Sequence, residues 1–258
     1  MSYAQLYRLS GIALILAGVC TTLFWLMAAP LGTFFGVDVV QHPFWTPSQI
    51  LHVVGALLTI FGVMGLYSAE RALTGALGLV GFGLATAGAA LFLTDGLIAL
   101  VVFPALAAAT PELFSRTGPL NDGPVLLLFV VIAATNLIGQ VVLGFATLRS
   151  RLFPGPAALL FMIGGAVANL PVGPVLLVVL SAGGIVWGVG AVWLGVALSK
   201  IPAQVFAADE RPITFVPQPS VLNQKYADKS EQGSRGFGRR SSSTRRASGP
   251  YCSFRGNP

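Results

Sequence analysis

Six long apolar stretches, joined by short polar links, constrain this chain more than any other feature of its sequence. They cover residues 6–28, 47–67, 73–99, 124–148, 155–170 and 174–198. Most are close to the roughly 20 residues that cross the hydrocarbon core of a bilayer. Lipid offers no partner to backbone N–H and C=O groups, so each stretch is predicted to be a helix. We therefore predict an all-α fold, a polytopic transmembrane helical bundle of six spans.

Composition and the position of the charges divide the chain into two parts. Hydrophobic residues make up 55% of the 258 residues and charged ones only 9%, against about 25% charged in soluble domains, which excludes a water-soluble globule. Residues 1–199 are formally neutral and form the predicted six-helix domain. Residues 200–258 carry the whole net charge of +6. Their Pro, Ser, Gly, Gln and Arg content predicts a disordered basic cytoplasmic tail.

The few basic residues of the apolar part predict its orientation. Those facing one side precede the first stretch, lie in alternate links or follow the last stretch, whereas the opposite links contain only Arg116. Cytoplasmic links carry the excess of Lys and Arg in membrane proteins, so both termini are expected in the cytoplasm. The residues on the predicted cytoplasmic side are Arg8, Arg71, Arg149, Arg151 and Lys200.

The third stretch is too long for one straight span. Apolar sequence continues to Ala109, and a helix over 73–109 would measure about 55 Å against a hydrocarbon core of about 30 Å. Asp95-Gly96 and Pro104 are expected to divide it. We predict one tilted span whose end continues, over residues 97–108, as an outer-surface or re-entrant helix.

Four polar side chains within the apolar stretches form the candidate site: His52, Asp95, Asn136 and Gln140. Polar groups inside a membrane are costly and often functional. His52 and Asp95 are expected at similar depth, where the imidazole could donate a hydrogen bond to the carboxylate. In the alternative, Asp95 caps the following helix and His52 extends toward the lipid headgroups.

Asn136 and Gln140 share a helix face because they are four residues apart. Their amides either line a polar pathway or form hydrogen bonds between helices that fix the packing, and the second interpretation is favoured because such bonds are ordinary between spans.

Small residues also recur at four-residue spacing, which predicts close helix packing within the chain rather than a dimer interface. They are Gly81, Ala85 and Ala89, then Gly164 and Ala168, then Gly184 and Gly188.

The usual signatures of catalysis and of cofactor binding are missing. The sequence has no phosphate-binding glycine loop, no zinc-protease motif and no nucleophile elbow. The two cysteines, Cys20 and Cys252, are too few for a disulfide framework. His42 and His52 lack the spacing of metal or haem ligands. We therefore expect no catalytic residue, no metal and no cofactor.

Two pairs of segments resemble a group of uncharacterised multi-pass bacterial membrane proteins. The first pair is Pro47-Ser-Gln-Ile-Leu-His-Val-Val-Gly-Ala-Leu-Leu58 with Gly65-Leu-Tyr67, and the second is Gly78-Leu-Val-Gly-Phe-Gly83 with Phe103-Pro-Ala-Leu106. The resemblance covers residues 1–199 and implies a location in the bacterial cytoplasmic membrane. It supplies no activity and no site residue.

Three functions remain open at this point, and a membrane enzyme or cofactor carrier, which a visible spectrum or a bound metal would reveal, is the third after the two that follow. The first is a structural, accessory or partner-binding role, with a protein partner or a second copy of the chain. The alternative is a small solute or proton-coupled transporter that uses the four polar side chains. The bilayer is the expected environment in all three cases, and the basic tail is expected to contact anionic lipid rather than nucleic acid.

Overall fold

The structure, a computed structural model, contains helices joined by turns and bends, and no strands, over the residues that it describes, which are 3–31, 36–115, 118–121, 123–170 and 177–201. The predicted tail, except its first two residues, lies outside this part. Short 3₁₀ turns occur in the links. The α-helices are α1 (Tyr3–Ala28), α2 (Val37–Val40), α3 (Trp45–Leu97), α4 (Phe103–Ala109), α5 (Gly123–Ser150), α6 (Gly155–Ala168) and α7 (Leu177–Ser199).

Four helical regions of the described chain are long and apolar enough to cross a membrane. They are Gln5–Leu31, Trp45–Ala109, Gly123–Ser150 and Leu177–Ser199, and Gly155–Ala168 is a shorter apolar helix. The all-α prediction for a membrane protein is thus confirmed at this level. Two of the six predicted stretches are joined in the single region Trp45–Ala109.

Helix α3 reverses direction at Gly75, and this joins the second and third predicted stretches. Gly75 has φ 56° and ψ −138°, a conformation that is essentially restricted to glycine. The first arm (residues 45–74) and the second arm (residues 76–97) pack antiparallel. Tyr67 stacks on Phe82 beside the turn, with ring centroids 4.7 Å apart, while the arms still touch at their far ends.

The two arms of α3 and helices α1, α5, α6 and α7 form a closed ring of six antiparallel segments in the described chain. Order around the ring follows the sequence, and α7 closes it by packing against α1. Glycine lies at each junction between separate helices, where an added methyl group would meet the neighbouring helix. The contacts pair Gly62 with Leu14, Gly81 with Leu143, Gly144 with Met162, Gly164 with Trp187 and Gly188 with Gly18.

These contacts confirm that the small-residue faces pack within the chain. Ala85 and Ala89 on the second arm are buried, and Gly184 faces the indole of Trp25 on α1. Close backbone approach lets helices gain dispersion energy where lipid provides no hydrophobic drive between them. The four-residue spacing therefore predicted the packing surfaces correctly.

The region beyond the second arm departs from the prediction in one respect. Asp95-Gly96 does not interrupt the helix, which continues through Leu97 into a π-helical segment (Ile98–Val102) and then into α4. The wider turns of the π-helical segment keep the backbone hydrogen-bonded, so the helix continues past Asp95-Gly96 without a break. The π segment and α4 pack with α2 and the neighbouring links around a second small core of Val39, Val40, Trp45, Ala99, Phe103, Ala107 and Phe114.

One end of the ring carries every lysine and arginine that the structure describes. All five side chains are exposed, and they are the same five that the sequence assigned to one side: Arg8, Arg71, Arg149, Arg151 and Lys200. Contacts bring together the start of α1, the turn of α3 and the ends of α5 and α7. These contacts are Tyr7 with Ser68, Glu70 with Thr147 and Gly11 with Ser199.

Candidate functional site

A cavity of about 80 Å³ lies inside the ring, and we call it the central cavity. Every segment of the ring contributes side chains, and its mainly apolar wall contains aromatic rings together with amides and hydroxyls. The lining residues are Thr21, Phe24 and Trp25 from α1, His52, Ala56 and Thr59 from the first arm, Ala89 and Phe92 from the second arm, Asn136 and Gln140 from α5, Ala168 and Asn169 from α6, and Gly184 and Trp187 from α7.

Three amides on the cavity wall form one directed chain of hydrogen bonds. Trp187 Nε1 donates to Gln140 Oε1 at 3.0 Å, and Gln140 Nε2 donates to Asn136 Oδ1 at 3.4 Å. Asn136 Nδ2 then donates to Asn169 Oδ1 at 3.3 Å, and Asn169 Nδ2 donates to the Gly165 carbonyl at 2.7 Å. The chain ties α5, α6 and α7 together. Each amide retains a second N–H and a second lone pair for a further partner.

The shape of the helices at this point allows the amides to meet. An added methyl group at Gly88 would stand 2.7 Å from the Asn136 Cα, and one at Gly165 would stand 2.8 Å from the Gln140 Cβ. Glycine at both positions therefore lets α5 lie close to the second arm and to α6. The inter-helix hydrogen bonds of Asn136 and Gln140 agree with the favoured interpretation of these amides from the sequence. Their position on a cavity wall is also compatible with the other interpretation, a polar lining.

His52 faces the central cavity from the first arm. Its Nε2 lies 3.1 Å from the Phe92 carbonyl oxygen, and because a carbonyl only accepts, Nε2 carries the proton of this bond. Nδ1 of the neutral ring is then an acceptor, and it has no hydrogen-bond partner among the described residues. Phe92 stacks on one face of the imidazole at 5.3 Å, and Phe24 meets it at 4.7 Å.

Asp95 does not join the other three predicted residues. It does not line the central cavity, and its carboxyl group forms no hydrogen bond or ion pair with the described residues. One residue turns a helix by about 100°, which takes Asp95 away from the face that Gly96 presents to the His52 ring. Asp95 also lies within the continuous helix α3 and so does not cap a helix start. The structure shows neither of the two arrangements expected from the sequence.

Sequence reasoning missed three important residues of the cavity wall: Trp25, Asn169 and Trp187. Asn169 was read only as part of the turn after the fifth stretch, and its buried amide connects two helices instead. The tryptophans sit in apolar stretches where they look like ordinary packing residues. Their proximity to the small residues Gly184 and Gly164 in the folded chain depends on helix rotation, which no local pattern encodes.

The wall chemistry defines what the central cavity can hold. Among the described residues, no Asp, Glu, Lys or Arg lines it, so a buried ion would find no opposite charge there. Its volume is about half that of a roughly 150 Å³ engineered cavity that binds benzene, and it equals the liquid volume of two to three water molecules at about 30 Å³ each. An uncharged molecule of about four heavy atoms with both a donor and an acceptor fits this description.

His42 lies apart from this site. Its Nδ1 accepts a hydrogen bond of 3.2 Å from the Phe44 backbone N–H at the start of α3. Within the described residues, no three His, Cys, Asp or Glu side chains gather as a metal site would require.

Comparison of the chain with protein-family models, curated proteins and solved structures gave no match.

Proposed function

We propose that this chain is a six-span protein of the bacterial cytoplasmic membrane that binds a small uncharged polar solute in its central cavity, as a transporter of such solutes would. The observation that supports this most strongly is that all six segments of the ring line one cavity. Its described lining residues include amide and imidazole groups with unused hydrogen-bonding capacity but no charged side chain. A primary amide matches this wall because it offers N–H donors and a carbonyl acceptor.

The six-span topology is supported by the antiparallel ring and by its one basic end. Both termini would then lie in the cytoplasm, because five exposed basic side chains gather where α1 begins and α7 ends. Helix α6 has 14 residues and measures about 21 Å, so the bilayer would be thinned at this helix or covered by its adjoining links.

The structural, accessory or partner-binding role has less support from the geometry. The small-residue faces that favoured it are used inside the chain, as at Gly164 and Gly188. Copurification of the chain with a stoichiometric protein partner, together with an unresponsive cavity, would favour this role over solute binding.

The proposal is tested with acetamide and acetate, two probes of similar shape that differ in charge. Thermal unfolding of the detergent-solubilised chain is expected to shift upward with acetamide and to stay unchanged with acetate. A ligand at 100-fold above its Kd stabilises a protein by about 2.7 kcal/mol. Acetamide uptake into liposomes that contain the chain should also exceed uptake into empty liposomes.

Two variants in which leucine replaces an alanine make the test specific to the central cavity. Ala56→Leu fills a lining position and should abolish both acetamide effects, whereas Ala87→Leu changes an exposed position on the second arm and should retain them. Equal acetamide effects in the two variants, or no effect on the unmodified chain, would contradict the proposed function.

A further inference from the structure

Glu70 is a fully buried acid at the basic end of the ring, outside the central cavity. It lies in the last turns of the first arm, and its side chain has 0% exposure. Thr147 of α5 donates a hydrogen bond of 2.9 Å to Oε1, while Oε2 is buried and has no partner among the described residues. The Glu70 carbonyl also accepts a bond of 3.0 Å from Thr74, next to the reversal at Gly75.

No cation balances this carboxyl group among the described residues. Arg71 on the same arm, Arg149 and Arg151 at the end of α5, Arg8 on α1 and Lys200 after α7 are all exposed. None of them forms an ion pair with Glu70. The polar groups that face Glu70 from α5 are two hydroxyls, those of Thr147 and of Ser150, which lies one turn beyond Thr147.

The energetics of burial favour one protonation form of this group. An ionised carboxylate that is buried without an opposite charge costs several kcal/mol, and an unpaired oxygen adds to this cost. A neutral carboxylic acid avoids the charge penalty and keeps the Thr147 bond, because Oε1 still accepts. A proton is also a ligand that needs no cavity, and it leaves the close packing of α3 against α5 intact.

We propose that Glu70 is a proton-binding site that fastens α5 to the turn of α3 in its neutral form. The proton resides on Oε2 and leaves to water, which produces a carboxylate that must be hydrated or paired with a neighbouring arginine. Either response separates the first arm from Thr147. The site lies about 10 Å along α5 from Gln140, and it does not depend on the proposed solute function.

Infrared spectroscopy of the full chain in lipid tests the protonation form directly. A protonated carboxyl has a C=O stretching band separate from the amide bands, and ¹³C-labelled glutamate shifts the bands of glutamate but not those of aspartate. Glu112, the other glutamate of the described part, is exposed and serves as the internal reference. We expect a glutamic acid band at neutral pH, well above the ordinary Glu titration at about 4.3, which disappears as the pH is raised.

Variants assign the band to Glu70, and the unmodified chain keeps the test decisive even where a variant does not fold. Glu70→Gln should remove the band, and Asp95→Asn should retain it. The Tm of the unmodified chain should fall as pH rises above the ordinary Glu titration at about 4.3, by about 3–5 °C per pH unit at most, and should level off once the band has titrated. This fall should be absent in Glu70→Gln. The absence of a glutamic acid band at neutral pH in the labelled, unmodified chain would overturn the proposal, even if Glu70→Gln failed to fold.

Discussion

Trp45 Nε1 donates a buried hydrogen bond of 3.0 Å to the carbonyl oxygen of Ala99, which lies just beyond the second arm of α3. Ala99 belongs to the π-helical segment, in which the backbone hydrogen bonds are shifted by one residue relative to an α-helix. The indole N–H of Trp45 therefore binds a carbonyl in the part of the helix where the backbone bonding pattern changes. The Trp45 ring also lies against Phe103 with ring centroids 6.3 Å apart. One side chain therefore joins the first residue of α3 to the beginning of α4.

Trp45→Phe tests this connection because it keeps the aromatic ring and removes the donor. We expect a loss of about 1–3 kcal/mol, since the Ala99 carbonyl would remain buried without its partner. The corresponding fall in Tm is about 2–4 °C per kcal/mol for a chain of this size. Thermal unfolding in detergent measures it. Trp193→Phe is the matched control because Trp193 is 44% exposed, and an equal fall in both variants would show that the bond contributes nothing specific.

Gly75→Ala tests the reversal between the two arms. An added methyl group would meet no atom within 4 Å, so any loss of stability arises from the backbone conformation alone. Such strain costs about 1–3 kcal/mol. Gly83→Ala provides the comparison, because it too has open space but lies in regular helix. It should stabilise the chain slightly, and a similar Tm for both variants would contradict the strain argument.

Gly184→Ala tests whether the packing of α7 against α1 shapes the central cavity. The new methyl group would collide with the Trp25 indole, which must move. Overpacking typically costs about 1–3 kcal/mol, and displacement of Trp25 should change its fluorescence emission. Unchanged fluorescence and an unchanged Tm would show that α1 and α7 adjust without affecting the cavity.

Gln140→Leu and Trp187→Phe form a double-mutant cycle on the amide chain. Each single change leaves a buried polar group without its partner and should cost about 1–3 kcal/mol. The double variant removes both groups, so its loss should be smaller than the sum by about 0.5–3 kcal/mol. Additive losses in thermal or denaturant unfolding would mean that the bond of 3.0 Å between them carries no net energy.

His52→Leu and Asp95→Leu should behave in the opposite way. The two side chains share no hydrogen bond among the described residues, so their effects on stability are expected to add within about 0.3–0.5 kcal/mol. Unfolding of the two single variants and the double variant measures this. A coupling larger than that range would restore the pairing that the sequence suggested.

Local sequence patterns predicted the helices and their packing faces but not the site as a whole. Hydrophobic length located the segments to within about three residues at every end except that of the second stretch, where the helix continues from residue 67 to residue 74. The spacing of Gly81 and Gly164 identified faces that pack within the chain. Whether Asp95 or Asn169 reaches the cavity depends on the rotation of helices that are distant in sequence. Glu70 was overlooked because it lies beside Arg71 in a short polar link, which resembles an ordinary solvated turn.

Closure of the ring by α7 against α1 has a consequence for biosynthesis. Gly18 and Gly188 lie in direct apposition, although about 170 residues separate them in the sequence. Until α7 emerges from the ribosome, α1 has an open flank, and the central cavity lacks Gly184 and Trp187. A chain halted before α7 would therefore leave Gln140 without its Trp187 donor and Gly18 without the helix that covers it.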